Sequence, residues 1–306
     1  MAQPRKSVLI TGCSAGGIGE AMAEAFLEKG YYVFATVRNS SSVSQSLSTA
    51  ASVTIVTLDV LSSDSIAAAA ELVQREAGGM LDVLVNNSGG VLFLPALDIP
   101  IEDGKKLFDL NFWGPFAMLQ AFAPLLIKAQ GCIVNNSSAN AYAAMPLMSQ
   151  CIVSEEFSSL SLTSPGVYNS SKAALAMASE TWRHELRPLG VRTITLITFA
   201  VKTDSFSKYH QFALPETSNY FEIRDFIYSL SDGRLQDGAI SARQYAIEVV
   251  REIEKGSVGT IWAGTNAWLS RFAFSLLPQS VMDKLLETII PISSTMARSR
   301  EGTKSR

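Results

Sequence analysis

SVLITGCSAGGIGE (Ser7–Glu20) decides the fold. An apolar run, Ser7–Thr11, gives way to Gly12, Gly16, Gly17 and Gly19, which open a helix predicted over Gly19–Lys29. A turn that carries a strand directly into a helix, with its amides facing an anion, has to be rich in glycine. Only glycine combines the tight bend with close backbone approach, and the helix N-terminus adds partial positive charge. The spacing departs from G-x-G-x-x-G. Position between a first strand and a helix is therefore what marks the stretch as a loop for a nucleotide's pyrophosphate.

Outward from this turn, short apolar runs alternate with longer helical patterns. The predicted strands are Ser7–Thr11, Tyr32–Val37, Val53–Leu58, Leu81–Val85, Gly131–Asn135, Thr193–Ile197 and Gly259–Ala263. They are rich in Val, Ile, Leu and Thr and barely alternate with polar residues, as strands covered on both faces should be. Helices are expected over Ser65–Glu76, Lys105–Lys128, Tyr168–Arg187 and Ala242–Lys255. This β-α alternation predicts an α/β fold, a doubly wound parallel sheet of about seven strands with helices on both faces. Residues 1–265 read as one domain and residues 266–306 as an apolar, amphipathic C-terminal extension. One segment, about 149–164, interrupts the alternation before the helix at Tyr168.

At 306 residues and 47% hydrophobic, the chain can bury a large core. Its net charge of −3 and pI of about 5.6 give no electrostatic reason to expect a nucleic-acid partner. Cys13, Cys132 and Cys151 cannot form a paired framework and read as small hydrophobes. His184 and His210 lack the spacing of metal ligands. The start, MAQPRKSVLITG, enters a strand pattern without room for a signal peptide, so a cytoplasmic location is expected.

Two further features carry chemistry. Where the second strand ends, A-T-V-R (Ala35–Arg38) holds no acid to grip a ribose diol, whereas Arg38 can pair with a 2′-phosphate. That favours NADPH over NADH. Tyr168 and Lys172 form Y-x-x-x-K at the start of a helix, where i,i+4 spacing sets both on one face. A phenol, ordinarily with a pKa near 10, is a poor base at neutral pH. An adjacent ammonium favours the phenolate and lets tyrosine exchange a proton with a carbonyl or alcohol oxygen.

Taken together, these motifs resemble the short-chain dehydrogenase/reductase family, with its Rossmann-like fold, over nearly the whole span from Ser7 to Ala263. The glycine loop is similar to its T-G-x-x-x-G-x-G with one extra residue, and Asn86–Gly89 (N-N-S-G) to its N-N-A-G. The resemblance implies a catalytic set of Asn111, which bends its helix and relays protons through water, Ser138, which hydrogen-bonds the substrate oxygen, Tyr168 as acid/base and Lys172. It implies that NADPH or NADP+ is held by Gly12, Ser14, Gly17, Ile18, Gly19, Arg38, Asp59, Asn87, Gly89, Tyr168, Lys172 and Thr203. Asp59 would contact adenine, and Thr203 the carboxamide or phosphates. The implied reaction converts a ketone to a secondary alcohol, or the reverse, on a small hydrophobic substrate. Within the family the chain looks most like the fungal acyl-dihydroxyacetone-phosphate reductase-like branch, which resembles hydroxysteroid dehydrogenases. Lipid and secondary-metabolite biosynthesis are the metabolic settings this suggests.

Three departures bear on that expectation. Phe199 stands where the family has glycine, Ser88 replaces alanine, and Ser138 lies 30 positions before Tyr168, further than the family's pattern. The two can meet only if residues 149–164 loop out, as a cover for the substrate or as the product of a retained intron. The alternative to an enzyme is a catalytically silent NADP-binding regulatory or scaffold protein of the same fold. In the extension, Val281, Met282, Leu285, Leu286, Ile289 and Ile290 share one helical face. Such a face serves as a lid over the cleft, as a contact in a homo-oligomer, or as a peripheral attachment to ER membrane or lipid droplets.

Overall fold

A computed structural model describes residues 5–90, 95–143, 145–147, 165–204, 214–230, 233 and 236–304. The segment 149–164 singled out above lies outside the described residues. Seven strands form one parallel sheet: β1 (Ser7–Ile10), β2 (Tyr32–Val37), β3 (Val53–Thr57), β4 (Val83–Asn86), β5 (Cys132–Ser138), β6 (Arg192–Thr198) and β9 (Gly259–Ala263). Their order is β3-β2-β1-β4-β5-β6-β9. The chain winds outward from β1 in one direction, then returns to β4 on its other side. The crevice at the carboxyl ends of β1 and β4 is therefore the topological switch point, where doubly wound sheets take their ligands. A separate parallel pair, β7 (Val201–Lys202) with β8 (Ile240–Ser241), lies beyond the end of β6.

Helices cover both faces because the strands are apolar on both. On one face, α1 (Ile18–Glu28) and α8 (Ala242–Glu254) pack Met22, Phe26, Tyr245 and Val249 over Val8, Val33 and Val134. On the other, α3 (Ser63–Glu76), α5 (Gly114–Ala129) and α6 (Pro165–Leu186) bring Ile66, Phe122 and Trp182 onto Leu9, Leu84 and Ile133. A short helix, α2 (Gln45–Ser48), follows β2. Cys13 and Cys132 are fully buried, and that burial pushes both thiols up to about 12. They serve as apolar filling.

The helix expected over Lys105–Lys128 begins earlier and is interrupted. α4 (Ile101–Phe108) passes through a π turn at Asp109–Trp113 before α5 continues. Asn111 sits in that turn, fully buried. The whole run Ile101–Ala129 is long and apolar enough to cross a bilayer, yet half of its apolar window is buried within the protein. It is a core helix here, packed on α3 and on the neighbourhood of α6.

A short helix, α7 (Arg224–Ser229), precedes α8, and after β9 the chain forms α9 (Ala267–Leu276), α10 (Gln279–Ile289) and α11 (Ile292–Lys304). Ile290, fully buried, joins Leu147, Leu214, Ile223, Ile227 and Leu230 in a third, smaller core. The extension is thus packed against the segments that surround the carboxyl ends of the strands. Trp268, Phe272 and Leu276 on α9 remain exposed.

The turn after β1 holds its shape by sterics. A Cβ on Gly19 would stand 2.2 Å from the Gly12 carbonyl oxygen and 2.8 Å from Asn87 Nδ2. Gly12 itself has φ of +75°, in the left-handed region that side chains disfavour. Gly19→Ala must therefore displace backbone. We expect it to lower stability by about 2–3 kcal/mol, read as a lower urea midpoint at unchanged slope, and to weaken NADPH binding measured by fluorescence titration.

Candidate active site

The carboxyl ends of β4 and β5 each carry two adjacent asparagines, Asn86–Asn87 and Asn135–Asn136, in otherwise apolar strands. Because successive strand residues point to opposite faces, each doublet serves both sides of the sheet. Asn86 and Asn135 are direct partners across the β4–β5 register. On the α6 face, Asn86 Nδ2 donates to Asn135 Oδ1 (2.9 Å), and Asn135 Nδ2 donates to Ser179 Oγ (2.9 Å).

On the other face the bonds run as a directed chain. Asn87 Nδ2 donates to the carbonyls of Thr11 (2.9 Å) and Gly12 (3.2 Å), which fixes its oxygen as acceptor for Asn136 Nδ2 (3.0 Å). Asn136 Oδ1 then accepts from Thr198 Oγ1 (2.5 Å). With the single Thr198 hydrogen committed, the 2.6 Å contact between Thr198 and Tyr245 has Tyr245 as donor. Four side chains, Asn87, Asn136, Thr198 and Tyr245, thus fix the glycine turn relative to β5. Thr11 adds to the clamp, its Oγ1 accepting the amides of Asn87 (2.9 Å) and Ser88 (2.8 Å).

Tyr168 and Lys172 lie one turn apart on α6, and both are buried (0% and 1% exposed). Lys172 Nζ donates to the Asn136 carbonyl (2.8 Å) and stands 5.9 Å from the centre of the Tyr168 ring. The ammonium is thereby anchored at β5 and aimed behind the tyrosine. Ser138 ends β5, and its Oγ accepts the Asn140 amide (3.2 Å). Ser138 and Tyr168 line the same cavity despite the 30 positions between them. Strand register and helix packing, rather than chain spacing, bring them together.

Asn111 acts as a brace. Its Oδ1 accepts the Gly90 amide (2.8 Å), and its Nδ2 donates to the Gly90 carbonyl (3.1 Å) and to Ser171 Oγ (3.0 Å). Ser171 Oγ in turn donates to the Tyr168 carbonyl (2.8 Å). The π turn therefore ties the segment after β4, including the buried Gly89, to the helix that carries Tyr168.

The proposed cofactor residues surround the switch point. Gly17 is the N-cap of α1 and brings no side-chain cap, beside the buried Ile18 and Gly19, so a helix N-terminus lies at the crevice, with Glu20 in its first turn. The extra residue of the loop has a structural use. Gly16 (φ +76°) gives its amide to Glu20 Oε2 (2.7 Å) and its carbonyl to the Asp204 amide (3.1 Å). A Cβ there would meet Asp204 Oδ2 at 2.6 Å. Ser14 Oγ lies 3.3 Å from Ser42 Oγ, and the half-buried Arg38 directly follows β2. Asp59 follows β3, and its Oδ1 accepts the Leu61 amide (3.0 Å). Thr203 follows β7 and is held twice by the buried Gln236, which accepts the Thr203 amide (3.1 Å) and donates to its Oγ1 (3.3 Å). The backbone cradle, the uncapped helix start and the cation beyond β2 suit a dinucleotide carrying a 2′-phosphate.

Asn136, Thr198, Tyr245 and Gln236 are site residues that motif reading passes over. The second asparagine doublet, in the strand next to the first, was a usable signal for Asn136. Tyr245 and Gln236 had none, since each reaches the site only through tertiary packing.

The cavity has a volume of about 380 Å³. Asn136, Ser138, Asn140 and Tyr168 are among the polar residues that line it. Phe274, Met282, Leu285, Leu286 and Ile289 of α9 and α10 form much of its apolar wall. The extension thus contributes to the cleft directly.

Removing the donor that starts the chain tests its importance. Tyr245→Phe should cost about 1 kcal/mol of stability in urea unfolding and weaken NADPH binding about two- to fivefold, because the Asn136–Asn87 clamp on the glycine turn loses its anchor.

The chain is similar to known proteins. Residues 6–151 match the model of the short chain dehydrogenase family. A short-chain dehydrogenase of Penicillium ochrochloron is 39% identical over 289 residues, covering 94% of this chain and 99% of that one. The NADPH-dependent 1-acyldihydroxyacetone phosphate reductase of Schizosaccharomyces pombe is 33% identical, covering 96% and 97%. Among solved structures, a short chain dehydrogenase from Burkholderia cenocepacia in complex with NADP superposes with a TM-score of 0.68 at 24% identity, over 94% of this chain and 99% of that one. The chain belongs to the short-chain dehydrogenase family and is an oxidoreductase.

Proposed function

We propose that this enzyme uses NADPH to reduce a hydrophobic ketone to a secondary alcohol, or runs the reverse oxidation. The observation that carries the proposal is the cavity that Ser138 and Tyr168 both line and to which α9 and α10 supply an apolar wall. Two likenesses support the cofactor: the relative from Schizosaccharomyces pombe is named as NADPH-dependent, and the Burkholderia cenocepacia structure holds NADP. Arg38, set just beyond β2, is the chain's own reason for preferring the phosphorylated form.

Bound NADPH supplies the hydride to the carbonyl carbon. Everything else falls to the protein. Gly12, Ser14, Gly17, Ile18 and Gly19 would hold the pyrophosphate, Arg38 the 2′-phosphate and Asp59 the adenine. Asn87 and Gly89 would back the cradle, and Thr203, bonded to Gln236, would hold the carboxamide or phosphates. Ser138 donates to the substrate oxygen and Tyr168 hands it a proton, so that hydride and proton together complete the alcohol. The Lys172 ammonium, fixed on the Asn136 carbonyl, favours the phenolate that Tyr168 leaves behind. The apolar wall excludes water and strengthens each of these charge interactions.

Two substitutions test this. Tyr168→Phe should lower turnover by about two to four orders of magnitude while NADPH still binds, as followed by ketone-dependent loss of NADPH absorbance and by titration. Tight NADPH binding with no turnover of any ketone in the unaltered protein would instead mark a silent NADP-binding member of the family. Arg38→Ala should weaken NADPH by about 1.5–3 kcal/mol and leave NADH unchanged. Equal dissociation constants for the two cofactors before substitution would reject the assignment to Arg38.

A further inference from the structure

Phe199 sits just past β6, where its amide donates to the Ala263 carbonyl (2.9 Å) and keeps it beside the end of β9. Its ring lies 5.7 Å from Trp262 of β9 and 6.3 Å from Phe274 of α9, at interplanar angles of 31° and 26°. Trp262 and Phe274 close the triangle at 6.2 Å and 30°, and Tyr142 backs Trp262 at 5.0 Å. The three rings are tilted by 26–31° to one another, and each is in contact with the other two. Gly264 (φ +103°) makes the bend into α9, and a Cβ there would meet the Phe199 backbone at 3.1 Å, so the approach of α9 to Phe199 is built in closely. Phe199 and Phe274 also line the cavity that contains Ser138 and Tyr168, whereas Trp262 lies behind them.

We propose that Phe199 and Phe274 are specificity-determining residues that select a ketone borne on a planar aromatic or fused-ring skeleton. Aliphatic side chains such as Leu285 and Ile289 accept apolar matter of any shape. A cluster of aromatic rings that fix one another is different, because it rewards a flat partner in offset-stacked or edge-to-face geometry. A rigid ring also loses little internal freedom on entering, whereas a flexible chain must freeze its rotamers against the same wall. The inference rests on the ketone-reduction reading for its chemistry, but its test does not depend on turnover.

The test compares acetylnaphthalene with the straight-chain methyl ketone of equal carbon count. Their dissociation constants for the NADP+-loaded protein are measured by calorimetry, alongside melting curves for each variant. The unaltered protein should bind the planar ketone more tightly. Phe199→Leu and Phe274→Leu should each weaken it about three- to tenfold and hold the straight-chain ketone within about twofold. Phe199→Tyr, which keeps the ring, should restore planar binding. If Phe199→Leu does not fold, Phe274→Leu carries the same comparison from the half-exposed helix α9. Equal losses for both ketones, no loss for either, or no preference in the unaltered protein would each overturn the proposal. Absence of NADPH oxidation with both ketones would overturn the reduction reading alone, since the dissociation constants still decide the role of the rings.

Discussion

Everything at the active site depends on one hydrogen bond, from Asn136 Nδ2 to Asn87 Oδ1 (3.0 Å) across the carboxyl ends of β4 and β5. On one side of it lies the turn that faces the cofactor, since Asn87 is bound to the Thr11 and Gly12 carbonyls. On the other lies the acid/base centre, since the backbone of Asn136 anchors Lys172. A buried amide left without partners costs about 1–3 kcal/mol, so the two asparagines are not free to drift apart. The donor order, from Tyr245 through Thr198 to Gly12, leaves each oxygen in the chain an acceptor with a committed donor. Such a chain has one low-energy arrangement, which suits a site where two binding subsites must keep a fixed separation.

The pleat of β5 extends this logic to both faces. Asn135 and Ser137 turn toward α6, reaching Ser179 Oγ and the Lys172 carbonyl respectively. Asn136 turns toward α8 through Thr198 and Tyr245. The strand therefore registers the helix carrying Tyr168 and Lys172 against the helix that begins after the glycine turn. Asn111 supplies the third tie, because the π turn lets one side chain reach both the backbone after β4 and Ser171 on α6. An ordinary α turn would have rotated that side chain away from one of these partners.

The sheet was legible in the sequence because every strand is covered on both faces, so burial wrote itself as unbroken Val/Ile/Leu runs. The glycine turn, Ser138 and the Tyr168–Lys172 pair were legible because each sits at the end of such a run or the start of a helix. Boundaries were less so. β5 continues through Ser138 because its polar residues are satisfied within the protein, a fact invisible to hydropathy. The π turn at Asn111 leaves no mark on apolar periodicity, which is why Lys105–Lys128 reads as one helix. Gln236 and Tyr245 were out of reach for a different reason, since both depend on which distant segments the fold brings together. Phe199 was visible only as an oddity next to the cofactor, and its meaning required Trp262 and Phe274, which lie far along the chain.

The C-terminal extension shows how such a sheet acquires a particular cleft without disturbing its machinery. The residues that hold Lys172 and the glycine turn all lie at strand ends or on α1, α6 and α8. The apolar wall comes from α9 and α10, which follow the last strand of the sheet and bear no part of the asparagine chain. Changes in α9 or α10 can therefore reshape the cavity while Tyr168 and Ser138 keep their places. The wall also has an electrostatic consequence, because lysine and tyrosine act on each other more strongly where water is excluded. Lys172, buried and held by a backbone carbonyl, stands 5.9 Å from the centre of the Tyr168 ring, and Tyr168 lines the cavity that α9 and α10 wall. Under the proposed role of Tyr168 as acid/base, the wall built by the extension and the proton step are thus physically linked.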